Sequence, residues 1–257
     1  ATTTGMATIA EFASGFPGIS TRIPFETGMI SEVLAAQVDR LLDNEKADVF
    51  LSVFAGQWLG TESLGISVIP DAARFPQFTA ELAGAMKGET NRWFQTVFRE
   101  NRSVLTFIDA DYTFLNQPLA EHYGIPGVDG TRFRHVDVDQ TRNTRGGFLT
   151  MAAVCKVTAN GTTTSPVKRG AWVMKKILGQ PPQPPPPDVP AVEPDIKGAT
   201  TIREQLAKHR DQTVCASCHA KIDPPGFALE SFDVIGGQRE RYRTITDLKP
   251  LVDPSGV

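Results

Sequence analysis

Apolar residues recur at helical spacing through most of the first 180 positions. Ser31 is placed to cap a helix running to about Leu42, with Val33, Leu34, Val38, Leu41 and Leu42 on one face. A second helix is predicted from about Glu45 to Leu59, closed by Gly60. Between 75 and 101, Phe78, Leu82, Met86, Trp93, Phe94, Val97 and Phe98 form a third stripe, in which Gly84 and Gly88 are weak points. Leu115, Leu119 and His122 mark a short helix that stops at Gly124, and Phe148, Met151, Ala152 and Cys155 form another short stripe. Arg132-Phe133-Arg134-His135-Val136-Asp137-Val138 alternates and is the best strand candidate.

Ser165-Pro166 has the form of a helix start, a capping serine followed by proline at the first helical position. Val167, Ala171, Met174 and Leu178 are expected to line one face of that helix, Lys168, Arg169, Lys175 and Lys176 give it a basic character, and Gly179 ends it. Pro181-Pro182-Gln183-Pro184-Pro185-Pro186-Pro187 fits neither helix nor central strand. As polyproline II it spans roughly 20 Å, at about 3.1 Å per residue, as a stiff spacer or a packed strap. Beyond it, Thr201-Ile202-Arg203-Glu204 has the form of a capping box opening a helix into Leu206 and His209. Asp223-Pro224-Pro225-Gly226 is expected to break the chain before a short helix over 227–232. The pattern predicts a mainly α protein, with a helical domain over 1–180, a proline-rich linker over 181–198 and a smaller segment over 199–257.

Composition narrows the function classes. Hydrophobic residues make up 40% of the 257 positions and charged residues 21%, as in ordinary globular proteins. The net charge of −3 argues against nonspecific nucleic-acid binding, and no apolar run reaches the length of a membrane span. The chain opens on Ala1-Thr2-Thr3-Thr4-Gly5 and closes on Asp253-Pro254-Ser255-Gly256-Val257, which reads as a piece of a longer or processed polypeptide.

Cys215-Ala216-Ser217-Cys218-His219 carries the chemistry. Two thiols three positions apart can each form a thioether to a haem vinyl group, and the histidine that follows can ligate the iron. With three cysteines and four histidines in the chain, about 5 × 10⁻⁴ such matches arise by chance. Zinc is the first rival, but it needs a second ligand pair that the sequence lacks. A redox dithiol is the second, without the strand-then-helix setting it would need. The motif implies one covalent haem c and, because such attachment in bacteria takes place outside the cytoplasmic membrane, a periplasmic or extracytoplasmic location.

His219 is then the proximal ligand, its other nitrogen expected to donate to the carbonyl of Pro224 or Pro225. No methionine or histidine follows within 220–257, so a sixth ligand comes from upstream, from a partner, or is absent. Met151 is the first candidate and His209 the second, while Met174, His122 and His135 read better as packing residues. Phe227 is placed to cover the haem, and Arg239, Arg241 and Arg243 to pair with its propionates or to stand in solvent. Cys155 reads as a buried thiol. The carboxylate–imidazole neighbours in the sequence are Glu121 and His122, which point in different directions if helical.

The stretch from Thr201 through Cys215-Ala216-Ser217-Cys218-His219-Ala220-Lys221-Ile222-Asp223-Pro224-Pro225-Gly226-Phe227-Ala228-Leu229-Glu230-Ser231-Phe232-Asp233 resembles the planctomycete-type cytochrome c-like family. Upstream, Leu119-Ala120-Glu121-His122-Tyr123-Gly124-Ile125, Arg145-Gly146-Gly147-Phe148-Leu149-Thr150 and Thr164-Ser165-Pro166-Val167-Lys168-Arg169-Gly170 resemble the helical domain that precedes its haem segment. The resemblance implies a large, secreted, multi-domain protein with a c-type haem and a redox role, but no assigned reaction. The expectation is an electron-transfer module working with other redox proteins or subunits of a larger complex. A peroxidase- or oxidase-like enzyme with an open iron site and an interaction scaffold with a structural haem are the alternatives.

Overall fold

The computed structural model describes residues 27–67, 69–139, 144–184, 206, 213–242, 252 and 254–255. The chain divides into two compact units, Ala1–Ala47 and Asp48–Val257. In the first, α1 (Thr27–Leu42) leaves Val33, Leu34 and Leu41 exposed. The second is mainly α: α2 (Ala47–Leu59), α3 (Ala80–Arg99), α4 (Gln117–Tyr123), α5 (Ala152–Val157), α6 (Pro166–Lys176) and α7 (Thr213–Ala228), with one strand pair, β1 (Tyr112–Leu115) and β2 (Arg134–Asp137). Among the described residues no helix is long and apolar enough to cross a membrane.

Local chemistry explains most boundaries. The Thr79 hydroxyl accepts from the Leu82 N–H and opens α3. Neither Gly84 nor Gly88 breaks that helix: Gly84 faces open space, while Gly88 lets the Phe133 ring lie against the backbone. Asn116 caps α4 and Gly124, in the left-handed conformation, closes it. Leu115 is therefore not helical but the last residue of β1, which runs antiparallel to β2 with Tyr112 opposite Asp137 and Leu115 opposite Arg134. Ser165 caps α6 as expected, accepting from the Lys168 N–H.

Two large apolar clusters and a smaller one, of Leu206, Phe227 and Tyr242, lie in the second unit. One of the large clusters joins Leu82 and Met86 of α3 to Leu119 and Tyr123 of α4, Ala152 and Ala153 of α5, and Val234 and Ile235 beyond α7. The other is aromatic, with Trp93, Phe107 and Phe148 at its centre and ring centroids of Trp93 and Phe107 each 4.9 Å from that of Phe148.

Helix α6 departs from its expected face. The residues it buries are Pro166, Arg169, Gly170, Val173 and Met174, whereas Leu178 is exposed. Arg169, read from the sequence as part of a basic surface, is fully buried. The reason is α7, which lies antiparallel on α6 with Gly170 against the Ile222 carbonyl and Gly226 against the Pro166 carbonyl. A Cβ at either glycine would overlap the opposing backbone oxygen. Hydrophobic periodicity cannot register a face whose centre has no side chain.

The expected break at 223–226 does not occur, because α7 runs through Pro224 and Pro225 to Ala228. The two prolines remove the N–H groups that would have served the carbonyls of Ala220 and Lys221, both exposed residues that water can reach. Residues 180–184 form neither helix nor strand; the rest of the proline tract and the predicted capping box at 201–204 lie outside the described residues.

Gly170→Ala and Gly226→Ala are each expected to destabilise the fold by at least the ~1–3 kcal/mol typical of overpacking, seen as a lower melting temperature by circular dichroism. Gly84→Ala, in open space on α3, is the matched control and gains up to about 1 kcal/mol of helix propensity.

Candidate functional site

Helix α7 carries the thiols and the imidazole. Cys215 and Cys218 stand one turn apart and His219 follows four residues after Cys215. At about 100° per residue, Cys215, His219, Ile222 and Gly226 share the face turned to α6, with Cys218 at its edge. Burial agrees: Cys215 is 7% exposed and Ile222 and Gly226 are buried, while Cys218 is exposed. None of the three cysteines is in a disulfide.

His219 is held by a carboxylate. Its Nδ1 lies 2.9 Å from Oδ1 of Asp223, whose side chain is 0% exposed; the imidazole itself is 15% exposed. With Nδ1–H donating to Asp223, Nε2 keeps the lone pair and is the nitrogen to which a metal would bind. The acceptor is thus not the Pro224 or Pro225 carbonyl expected from the sequence. Inside a helix those carbonyls point toward later residues, whereas four-residue spacing stacks the Asp223 carboxylate on the imidazole. The fold makes a close, buried carboxylate–imidazole pair of His219 and Asp223, and a longer, exposed one of His135 and Asp137 at 3.7 Å; for the first, the signal was four-residue spacing along α7.

This donor set fits a c-type haem. It offers two cysteine sulfurs on adjacent turns and one imidazole with a defined coordinating nitrogen. Among the described residues no group of three or more His, Cys, Asp or Glu side chains is placed to hold a metal ion. A haem iron takes four ligands from its porphyrin and asks the motif for a single imidazole.

The other candidates are placed as follows. Met151, 3% exposed, begins α5 and packs in the aromatic cluster with Trp93, Phe148 and Val154, a cluster to which α7 contributes no described residue. Met174 is buried on α6, one turn beyond Gly170; continuing the antiparallel register brings it level with Cys218. His209 and Arg243 lie outside the described residues. Phe227 is buried against Leu206 and Tyr242, a core position rather than an open cover. The Arg239 guanidinium is engaged within the fold: it donates to Glu230 Oε2 at 2.9 Å and to Thr164 Oγ1 at 2.8 Å, and lies over the Tyr242 ring. It was expected to meet propionates, but a buried carboxylate claims it. Cys155 is buried, and burial pushes its thiol up, as suits a packing residue. His122 shares a 2.8 Å hydrogen bond between Nε2 and the Ile235 carbonyl, and burial lowers its pKa. His135 stacks on Tyr112 at the strand pair.

A second polar centre has no counterpart in the sequence reading. Glu89, on the buried face of α3, accepts from the Tyr123 hydroxyl at 2.6 Å and the Thr113 hydroxyl at 2.7 Å. Burial pushes its carboxyl up to about 7, against the lowering effect of both hydroxyls and of Arg145. The Arg145 guanidinium lies 3.5 Å over the Tyr123 ring and donates to the Thr150 and Gly236 carbonyls. A cavity of about 10 Å³ beside them, lined also by Tyr112 and Met151, is at the lower limit for one water. The signal was a carboxylate between Met86 and Trp93 in an otherwise apolar stripe.

The described residues form a mainly α protein in which the thiol–imidazole helix α7 packs on α6. Comparison places its two ends with two family models. Residues 27–125 match the model described as "PSD4: Protein of unknown function (DUF1592)", and residues 145–242 match "PSCyt3: Protein of unknown function (DUF1588)". Both are domains found in planctomycete cytochrome c-like proteins, and neither match alone spans half of the chain. No curated protein and no solved structure matches the chain.

The Glu89 carboxyl gives a pH signature. Below pH 4.5 it is protonated whether the chain is folded or not; as pH rises toward 7 the folded form keeps a proton that the unfolded form has lost. That contribution to stability is therefore fully present below 4.5 and falls away through about pH 7, by on the order of 3 kcal/mol. Glu89→Gln removes it, so urea unfolding at pH 4.5 and 8 should show wild type losing stability relative to the variant by that amount. An unchanged difference would mean that the carboxyl titrates alike in the folded and unfolded chain.

Proposed function

We propose that this chain carries one haem c, thioether-linked to Cys215 and Cys218 with His219 as proximal ligand, and serves as an electron-transfer module outside the cytoplasm. The observation that carries the proposal is α7 itself: one helix presents both sulfurs, and the Asp223 carboxylate holds the imidazole with Nε2 as the coordinating atom. A bound haem supplies one-electron chemistry between ferric and ferrous iron. The chain's own residues tether, orient and insulate it. The sulfurs fix its edge, and the packing of α6 on α7 through Gly170 and Gly226 keeps that helix from shifting. The similarity of residues 27–125 and 145–242 to domains of planctomycete cytochrome c-like proteins supports the same reading. Its partners are other redox proteins or subunits of a larger assembly.

A haem enzyme with an open iron position is the second reading. Two observations favour it: residues 220–257 contain no methionine or histidine, and Met151 packs in a cluster to which α7 contributes no described residue.

Produced in a periplasm with c-haem maturation, the chain should give one haem per polypeptide in the pyridine haemochromogen spectrum, and Cys215→Ala/Cys218→Ala should give none. A wild-type protein with stoichiometric zinc and no Soret band would sink the haem reading. Rapid carbon monoxide binding to the reduced protein would select the open-site enzyme; no spectral response selects the six-coordinate carrier.

A further inference from the structure

The proposal above uses His219 as a ligand but leaves open what its buried partner does to the iron. Resting on that reading, we infer that Asp223 is a positioning residue that sets the reduction potential, making this a low-potential centre. A backbone carbonyl behind the imidazole and a thioether in front of it would instead give a carrier of raised potential.

Three features of the pair lead to this. The Nδ1 to Oδ1 distance is 2.9 Å, an ordinary direct hydrogen bond. The carboxylate is inaccessible to water, so its field on the imidazole is not screened as it would be at a surface. The pair is also built into a single helix, four residues apart, so that the orientation of the ring does not depend on a mobile loop. A carboxylate accepting the Nδ1–H draws that proton toward itself and leaves more electron density on Nε2. An electron-richer ligand stabilises ferric over ferrous iron, and the potential falls. A neutral carbonyl acceptor does this less. The arrangement suits a centre that hands electrons on readily, and it weakens the case for a soft thioether opposite His219.

Asp223→Asn tests the inference, because the amide keeps the shape and the hydrogen-bond acceptor and removes the charge. Haem content is measured first, by pyridine haemochromogen. A wild-type protein without haem overturns the haem reading, and this inference falls with it. With haem present in both proteins, the reduced-to-oxidised ratio at a fixed applied potential should rise at least tenfold in the variant, which is about 59 mV for a one-electron couple. A merely structural role would move the melting temperature and leave that ratio alone, so a change below threefold overturns the inference. If the variant loses its haem, the wild-type midpoint potential decides: a value below that of c haems with the same ligand set whose histidine donates to a backbone carbonyl supports the role of Asp223, and an equal or higher value overturns it.

Discussion

A guanidinium with no access to water holds the second unit together. Arg169 and Glu230 are both 0% exposed and 2.9 Å apart, and the same guanidinium donates to the carbonyls of Leu229, Phe232 and Asp233. Burying such a pair costs several kcal/mol of solvation for each ion, which is offset only when every lone pair and proton finds a partner. Here the two terminal nitrogens of Arg169 reach Glu230 and the carbonyls of the turn beyond α7, while its buried Nε has no hydrogen-bond partner among the described residues, so the offset is incomplete. One residue of α6 therefore fixes where α7 stops and how the chain turns after it.

The consequences spread outward from that turn. Residues 233–236 fold back so that Val234 and Ile235 enter the core cluster of α3, α4 and α5. Their backbone is gripped there: the Ile235 carbonyl is bonded to His122, and the Gly236 carbonyl accepts from Arg145, which in turn lies over Tyr123 beside Glu89. Gly236 has φ 77°, and a Cβ there would overlap Ala152, so the turn is shaped to the body it enters. The helix that bears the thiols is thus positioned from its C-terminal end, through a chain of polar contacts that reaches the opposite side of the core.

Much of this was legible in the residues. The stripe from Phe78 to Phe98, the Ser165-Pro166 start and the glycines 60, 124 and 179 all mark true helix limits, because capping chemistry and left-handed glycine act locally. The mainly α class follows from the same signals. Strand β1 was missed because Tyr112-Thr113-Phe114-Leu115 is short and its last residue also fits a helical stripe with Leu119. The break expected at Pro224-Pro225 failed because two glycines let α6 and α7 approach backbone to backbone, and that packing outweighs the local preference. At the site, the thiols and the imidazole could be read directly from their spacing. The burial of Arg169, the engagement of Arg239 and the placement of Met151 could not, since each depends on residues 60 or more positions away or on a cluster assembled from several elements.

The compactness of the site in sequence also bears on the order of assembly. Cys215, Cys218, His219 and Asp223 span nine residues, and the helix alone sets their mutual geometry. Helices of this length form within about a microsecond, whereas closing Gly170 onto Ile222 means bringing together residues 52 apart across the proline tract. Were α7 to form ahead of that closure, the thiols and imidazole would be presented while the chain is still open on the side where α6 will lie. A prosthetic group tethered at that stage would be enclosed by later folding rather than threaded into a finished pocket.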